Sequence, residues 1–396
     1  MRSSVCLVVC CVVLGLAPPA LADGPGVGTP TVVTLGDSAI SGEAGRWAGN
    51  TNDSSTRADA LGSTAYWDTA TGEAIPGCHR SKAAQAHIGG GVVSANLACS
   101  GARTSTTGTA SGQAFKPGID FYLDAAGRKG QARALEDYAR THNVRAVDVM
   151  IGANNYGFAA IVERCVTNWL SSPSWWKNYC SDDSDMTSRF TATRQAQETA
   201  NVRDALLRVR QAMTNAGYST SQYTIIAQTY WTPIPRSTGF RYAESGWTRQ
   251  SVGGCGIWNR DANWAHDVVV KAMNDTTRNG AAQAAISNLV LLDLQYALDG
   301  RRLCETGVGL IEEAGLASWQ SAGAVDRTEW VSQIRTATTL VGPYQLQEGS
   351  HASYWGQLAM RNCLRLAYNG GAVRGGRCVR SANGLNAQGE PQMGLQ

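Results

Sequence analysis

Residues 31–47 read TVVTLGDSAISGEAGRW. The first five are apolar or β-branched and stop at Gly36, which reads as a short buried strand closed by a sharp turn. Four further runs of this kind follow, at 92–97, 144–151, 223–228 and 289–294. Stretches with helical period lie between and after them, at 131–142, 192–216, 264–279 and 353–368. In the first of these, Ala132, Leu135, Tyr138 and Ala139 fall on one face. Strands alternating with helices predict an α/β fold, a parallel sheet of five strands covered on both faces.

Three segments break the alternation. Residues 41–86 are polar and rich in Gly and Thr, 165–180 read CVTNWLSSPSWWKNYC, and 236–256 are rich in Gly, Ser and aromatics. They are expected as long loops on one rim, tied down by disulfides. No Pro/Ser-rich linker divides the chain. The simplest organisation is one catalytic domain over 23–368, followed by a Gly-rich surface extension over 369–396 with Cys378 anchoring its first part.

The first 22 residues read as a cleaved secretory signal: Arg2, an apolar run over 5–16, then Ala20-Leu21-Ala22. The run is too short to span a bilayer, and Val9 stands where lipidation at Cys10 or Cys11 would need a small residue. Beyond this segment no transmembrane span is expected, so the protein is expected to be secreted, and as a monomer. Of 396 residues, 34 are Lys or Arg and 31 Asp or Glu, for a net charge of +3. Residues 1–22 contribute only Arg2 to that balance. Such near-neutrality gives no electrostatic reason for a nucleic-acid partner or an anionic membrane surface. The charged fraction is low at 16%, with 43% hydrophobic, enough for a large core.

Eleven cysteines include three in the signal. The eight left suit an oxidising compartment, and their order suggests neighbours: Cys78–Cys99, Cys165–Cys180, Cys255–Cys304 and Cys363–Cys378. Eight cysteines permit 105 connectivities, so order alone does not fix this one. There is no C-x-x-C beyond the signal and no H-E-x-x-H, and no metal or cofactor is implied.

In an open α/β sheet, ligands sit at the carboxyl ends of the strands. The first run ends in Gly36-Asp37-Ser38, which suits a serine nucleophile and equally a helix cap. The second ends near Ser100-Gly101 and the third in Gly152-Ala153-Asn154, where N–H donors could meet an oxyanion or merely form turns. Five histidines could supply a base. His79 neighbours Cys78, His87 lies in a loop, and His142 and His266 belong to predicted helices. His351 stands alone in a loop just before the last helix, with Glu348 three residues earlier as a candidate partner for Nδ1.

TLGDSAISGEAGRW, NLACSGART, IGANNYG and EGSHASYWGQ, in that order, resemble the four sequence blocks of the SGNH (GDSL) hydrolases, in the secreted, disulfide-containing lipase and esterase branch common in actinobacteria. The resemblance runs from Thr31 to about Arg365. It implies a flavodoxin-like α/β/α sandwich with Ser38 as nucleophile and His351 as base. Gly101 and Asn154 would complete the oxyanion hole with the Ser38 N–H. The chain departs from the family in three places. Glu348 stands for the usual Asp, and either its carboxylate or a backbone carbonyl would orient His351. Ala352 and Ser353 replace Pro-Asn, and Asn155 stands where many members have Asp.

The expected activity is carboxylic ester hydrolysis through an acyl-enzyme. The substrate is open among lipids, acyl esters and acetylated glycans, since the Trp-rich loop at 165–180 would suit an apolar lid, a sugar platform or simple packing. A second class also stays open, a non-catalytic extracellular binding protein on the same scaffold. Labelling of Ser38 by a fluorophosphonate separates the two.

Overall fold

The computed structural model describes residues 23–335 and 346–396. The proposed signal, 1–22, lies outside the described residues. The five apolar runs become strands β1 (Pro30–Gly36), β2 (Val93–Asn96), β3 (Asn143–Met150), β4 (Thr224–Gln228) and β5 (Leu289–Asp293). The sheet has seven strands rather than five, because β6 (Gly376–Leu385) and β7 (Pro391–Leu395) join it, in the order β2-β1-β3-β4-β5-β6-β7. β6 runs parallel to β5 through Gly376 and Arg377, and β7 returns antiparallel along β6. The C-terminal stretch is thus the far edge of the sheet. Its sequence, GRCVRSANGL, has no apolar run because half of β6 is exposed and only Cys378 is buried.

Seven helical segments matter to the site: α1 (Ser38–Ser41), α2 (Gln131–Ala139), α3 (Phe158–Ser171), α4 (Ala192–Asn215), α5 (Asn259–Trp264), α6 (Lys271–Ala284) and α7 (Tyr354–Tyr368). A π-helical turn, Ala265–Val270, joins α5 to α6. Alternate residues of each strand face opposite sides of the sheet. Val33, Leu35, Val147, Val149 and Ile225 pack with Leu135 of α2 and with Leu206, Val209 and Met213 of α4. Val32, Ala146, Met150, Ile226 and Leu292 pack with Ile40, Met273 and, from α7, Leu358, Met360 and Leu364. Two apolar layers on one sheet give the α/β/α sandwich.

The four disulfides join Cys78–Cys99, Cys165–Cys180, Cys255–Cys304 and Cys363–Cys378, the pairs suggested by order. Cys165 lies inside α3 rather than in a loop, so the Trp-rich loop is shorter than expected and begins after Ser171. The bridge of Cys363 to Cys378 fastens α7 to β6. Among the described residues no helix is long and apolar enough to cross a membrane.

Candidate active site

β1 ends in a turn that only glycine can make. Gly36 has φ +140°, and a Cβ there would lie 1.9 Å from the Met150 carbonyl oxygen. The Asp37 N–H donates to that same carbonyl. β1 and β3 therefore end side by side, and the chain turns up into α1 with Ser38 as its first residue. Asp37 caps the turn, its Oδ1 accepting from the Ala39 N–H at 3.0 Å.

The carboxylate of Asp37 is fully buried, and burial pushes its pKa up to about 7 against the lowering effect of its donors. One donor is the Tyr230 hydroxyl, 2.5 Å from Oδ2. That hydroxyl also accepts the Ala153 N–H at 3.1 Å. Tyr230 thus ties the β1 turn to the turn after β3. It stands two residues past the end of β4, in the strand-end position that singled out Ser38 and Asn154, yet sequence reasoning passed it over. The missed signal was its place, since a tyrosine there looks like core.

His351 Nε2 lies 2.7 Å from Ser38 Oγ. Its Nδ1 is 3.0 Å from the Gly349 carbonyl oxygen. Since a carbonyl can only accept, Nδ1 carries the proton and Nε2 is left as the acceptor for the Ser38 hydroxyl. Burial holds the imidazole below the ordinary histidine value, opposed by the charge of Glu43, so the ring is neutral at pH 7.

Of the two partners open for Nδ1, the structure has the carbonyl. The Glu348 carboxylate faces away and is buried. Its Oε2 accepts the Trp47 indole N–H at 2.8 Å, and its Oε1 accepts the Tyr66 hydroxyl at 2.5 Å. Of the two alternatives left open by the sequence, the carboxylate is thus taken up by Tyr66 and Trp47 and the carbonyl stands on Nδ1.

Asn154 lines the same cavity as Ser38 and His351. One N–H of its side-chain amide donates to the Ala102 carbonyl at 2.9 Å, which fixes the amide and leaves its second N–H for another acceptor. Gly101, with φ +81°, sits one residue before Ala102 and is not part of the cavity wall. Among the described residues, no acceptor is found for the backbone N–H of Gly101 or of Ser38. Asn155 is occupied with Thr104 and Glu198.

The other histidines lie elsewhere. His79 Nδ1 pairs with Glu43 at 2.8 Å, and His87 Nδ1 with Ser94 at 2.7 Å. His142 stacks on Tyr138, and His266 Nε2 bonds the Ile234 carbonyl.

The cavity has a volume of about 40 Å³, and its wall is mostly apolar, with Phe158, Trp231, Pro233, Val270 and Met273, although Asp37, Tyr230 and Ser350 also line it. Val270 closes the π-helical turn, a local irregularity of the kind that recurs at functional sites. No residue of the 165–180 segment lines the cavity. Trp175 and Trp176 are 84% and 73% exposed, so they are neither core packing nor a cover on this site. Among the described residues there is no cluster of ligands suited to a metal ion.

No protein-family model and no curated protein matches the chain. Among solved structures, it is similar to an extracellular lipase from Streptomyces rimosus, with 15% identity over 85% of this chain and 98% of that one, at a TM-score of 0.44. It is also similar to a "putative arylesterase" from Agrobacterium tumefaciens str. C58, with 13% identity over 86% of this chain and 99% of that one, at a TM-score of 0.30. Likeness this distant leaves the chemistry to be decided by the site itself.

Proposed function

We propose that the chain is an exported serine hydrolase that cleaves carboxylic esters with a short, apolar acyl group. The observation that carries this reading is the 2.7 Å contact of His351 Nε2 with Ser38 Oγ at the wall of an apolar cavity. A neutral imidazole with its proton on Nδ1 can take the Ser38 proton as Oγ attacks the ester carbonyl carbon. The negative charge that develops on the carbonyl oxygen would be met by the Ser38 N–H and the free N–H of Asn154, both at the cavity wall. The C–O bond to the leaving alcohol then breaks, and the alcohol departs with the proton held by His351. Water, deprotonated by the same imidazole, releases the acid and restores Ser38.

The cavity's size supports a short acyl group. About 40 Å³ is roughly three times the room one water needs, enough for a short acyl group. Its apolar wall gives little with which to bind a charged or sugar-like acyl group. Four disulfides suit an oxidising compartment, which supports reading 1–22 as an export signal.

Hydrolysis of p-nitrophenyl acetate, butyrate, octanoate and palmitate, beside Ser38→Ala, tests the reading. The expected result is Ser38-dependent turnover that is highest on the short esters. Turnover rising to palmitate would refute the short-acyl assignment. Turnover equal to that of Ser38→Ala would refute the hydrolase itself.

A further inference from the structure

The turn that carries His351 is held from both sides. On one side, the Ser350 N–H donates to the Ser332 carbonyl at 3.0 Å and the Ser332 N–H to the His351 carbonyl at 2.8 Å. On the other, the Glu348 carboxylate is gripped by Tyr66 and Trp47. Between these anchors the chain turns sharply. The His351 N–H donates to the Glu348 carbonyl at 3.3 Å, and Ser350 sits in the left-handed region at φ +64°. A left-handed non-glycine residue costs about 1–2 kcal/mol, so such a turn persists only where its surroundings impose it. The Gly349 carbonyl, among the described residues the sole oxygen seen on Nδ1, has its direction set by this turn.

We propose that Glu348 is a positioning residue, which acts on His351 through the backbone: clamped by Tyr66 and Trp47, it aims the Gly349 carbonyl at Nδ1. This rests on the ester-hydrolase reading. The chain thereby replaces a charged partner for the base with a neutral one and moves the carboxylate one step back to hold the turn. Burial beside Glu348 and Glu43 keeps the Tyr66 hydroxyl protonated far above the ordinary tyrosine value, so it stays a donor throughout the working pH range. Trp47 belongs to the same stretch of sequence as Ser38, so the clamp also fixes the base loop to the segment that carries the nucleophile.

Three variants separate a clamp from a misread triad acid. Glu348→Asp shortens the side chain to the length usual for a carboxylate bonded to histidine. It keeps the charge but cannot reach Tyr66 and Trp47. Tyr66→Phe keeps the carboxylate and removes one jaw. A misplaced catalytic group costs on the order of a hundredfold per ångström, so both variants are expected to lose about tenfold or more in kcat per labelled active site, with KM little changed. In Glu348→Gln the acid limb of the kcat/KM profile, which reports His351, is expected to stay within a few tenths of a pH unit. A carboxylate bonded to the imidazole would shift it by about one or more on removal.

A retained or raised kcat in Glu348→Asp overturns the proposal. So does an unchanged kcat in Tyr66→Phe, or a full-unit shift in Glu348→Gln. If the parent shows no Ser38-dependent turnover, the hydrolase reading fails, and the clamp is still read by NMR. The slowly exchanging Nδ1 proton of His351 is then expected in the parent and weakened in Tyr66→Phe, and an identical signal in both overturns the clamp.

Discussion

Replacing Tyr230 by Phe removes one oxygen from a fully buried site and changes little else. That oxygen makes two bonds, donating to Asp37 Oδ2 at 2.5 Å and accepting the Ala153 N–H at 3.1 Å. Leaving a buried partner unsatisfied costs about 1–3 kcal/mol, and more for a charged one. Two orphaned groups therefore predict a loss of roughly 2–6 kcal/mol, a large part of a typical folding stability of about 5–15 kcal/mol.

The loss should also depend on pH. The Asp37 carboxyl has a folded pKa of about 7 against 3.8 for the exposed group. Its neutral form is therefore favoured by folding, and the stability it contributes at low pH is lost as pH rises from about 4 to 7. The Tyr230 bond lowers that folded pKa, so the variant's carboxyl must sit higher still. Above pH 7 the parent holds an ionised, charge-assisted bond that the variant lacks, and the penalty at pH 8.5 should exceed that at pH 5.5. Urea unfolding of the two proteins at both pH values measures it. Activity should fall as well, by about tenfold, because Tyr230 joins the Ser38 turn to the Asn154 turn. A penalty below 0.5 kcal/mol, or one equal at the two pH values, would refute this account of the Asp37 site.

Three further outcomes are expected. Asn154→Ala should lose roughly a hundredfold or more in kcat on short esters with the fold intact, the usual effect of removing one oxyanion donor; near-parental kcat would remove Asn154 from that role. Burial holds Asp148 well above the ordinary carboxylate range, with Oδ2 accepting from Gln228, so folding favours its neutral form. Asp148→Asn should then gain stability relative to the parent as pH rises from 4 to 8, in thermal melts; a relative loss would mean that the group is ionised in the fold. Truncation after Asn369 should destabilise the protein strongly rather than trim a tail, read as a lower Tm. It strips β6 and β7 from the sheet edge, leaves Cys363 unpaired and removes Glu390 from Arg365.

What was legible in the sequence follows from which forces act locally. Strands buried on both faces must be apolar along their length, so β1, β3 and β4 stand out as runs. β6 and β7 lie at an edge, where half of β6 is exposed and no residue of β7 forms part of an apolar run, and a Gly-rich polar sequence satisfies that setting equally well as a strand or a tail. The convergence of Ser38, Asn154 and His351 on one cavity was expected because strand ends and a pre-helical loop point to one crevice. The orientation of Glu348 was not legible. A single methylene decides whether its carboxylate reaches back to the imidazole or on to Tyr66 and Trp47, and those partners lie about 280 and 300 positions away in the sequence. Tyr230 was hidden for a similar reason, since a buried tyrosine reveals its role only through what its hydroxyl touches.

The central claim is that Ser38 is a nucleophile activated by His351. Incubating the oxidised protein with a fluorophosphonate and mapping the adduct by peptide mass spectrometry tests it without any assumption about substrate. The account predicts one stoichiometric adduct on the peptide containing Ser38, absent in Ser38→Ala and slowed by orders of magnitude in His351→Ala. An unlabelled Ser38, or labelling at the same rate without His351, would contradict it.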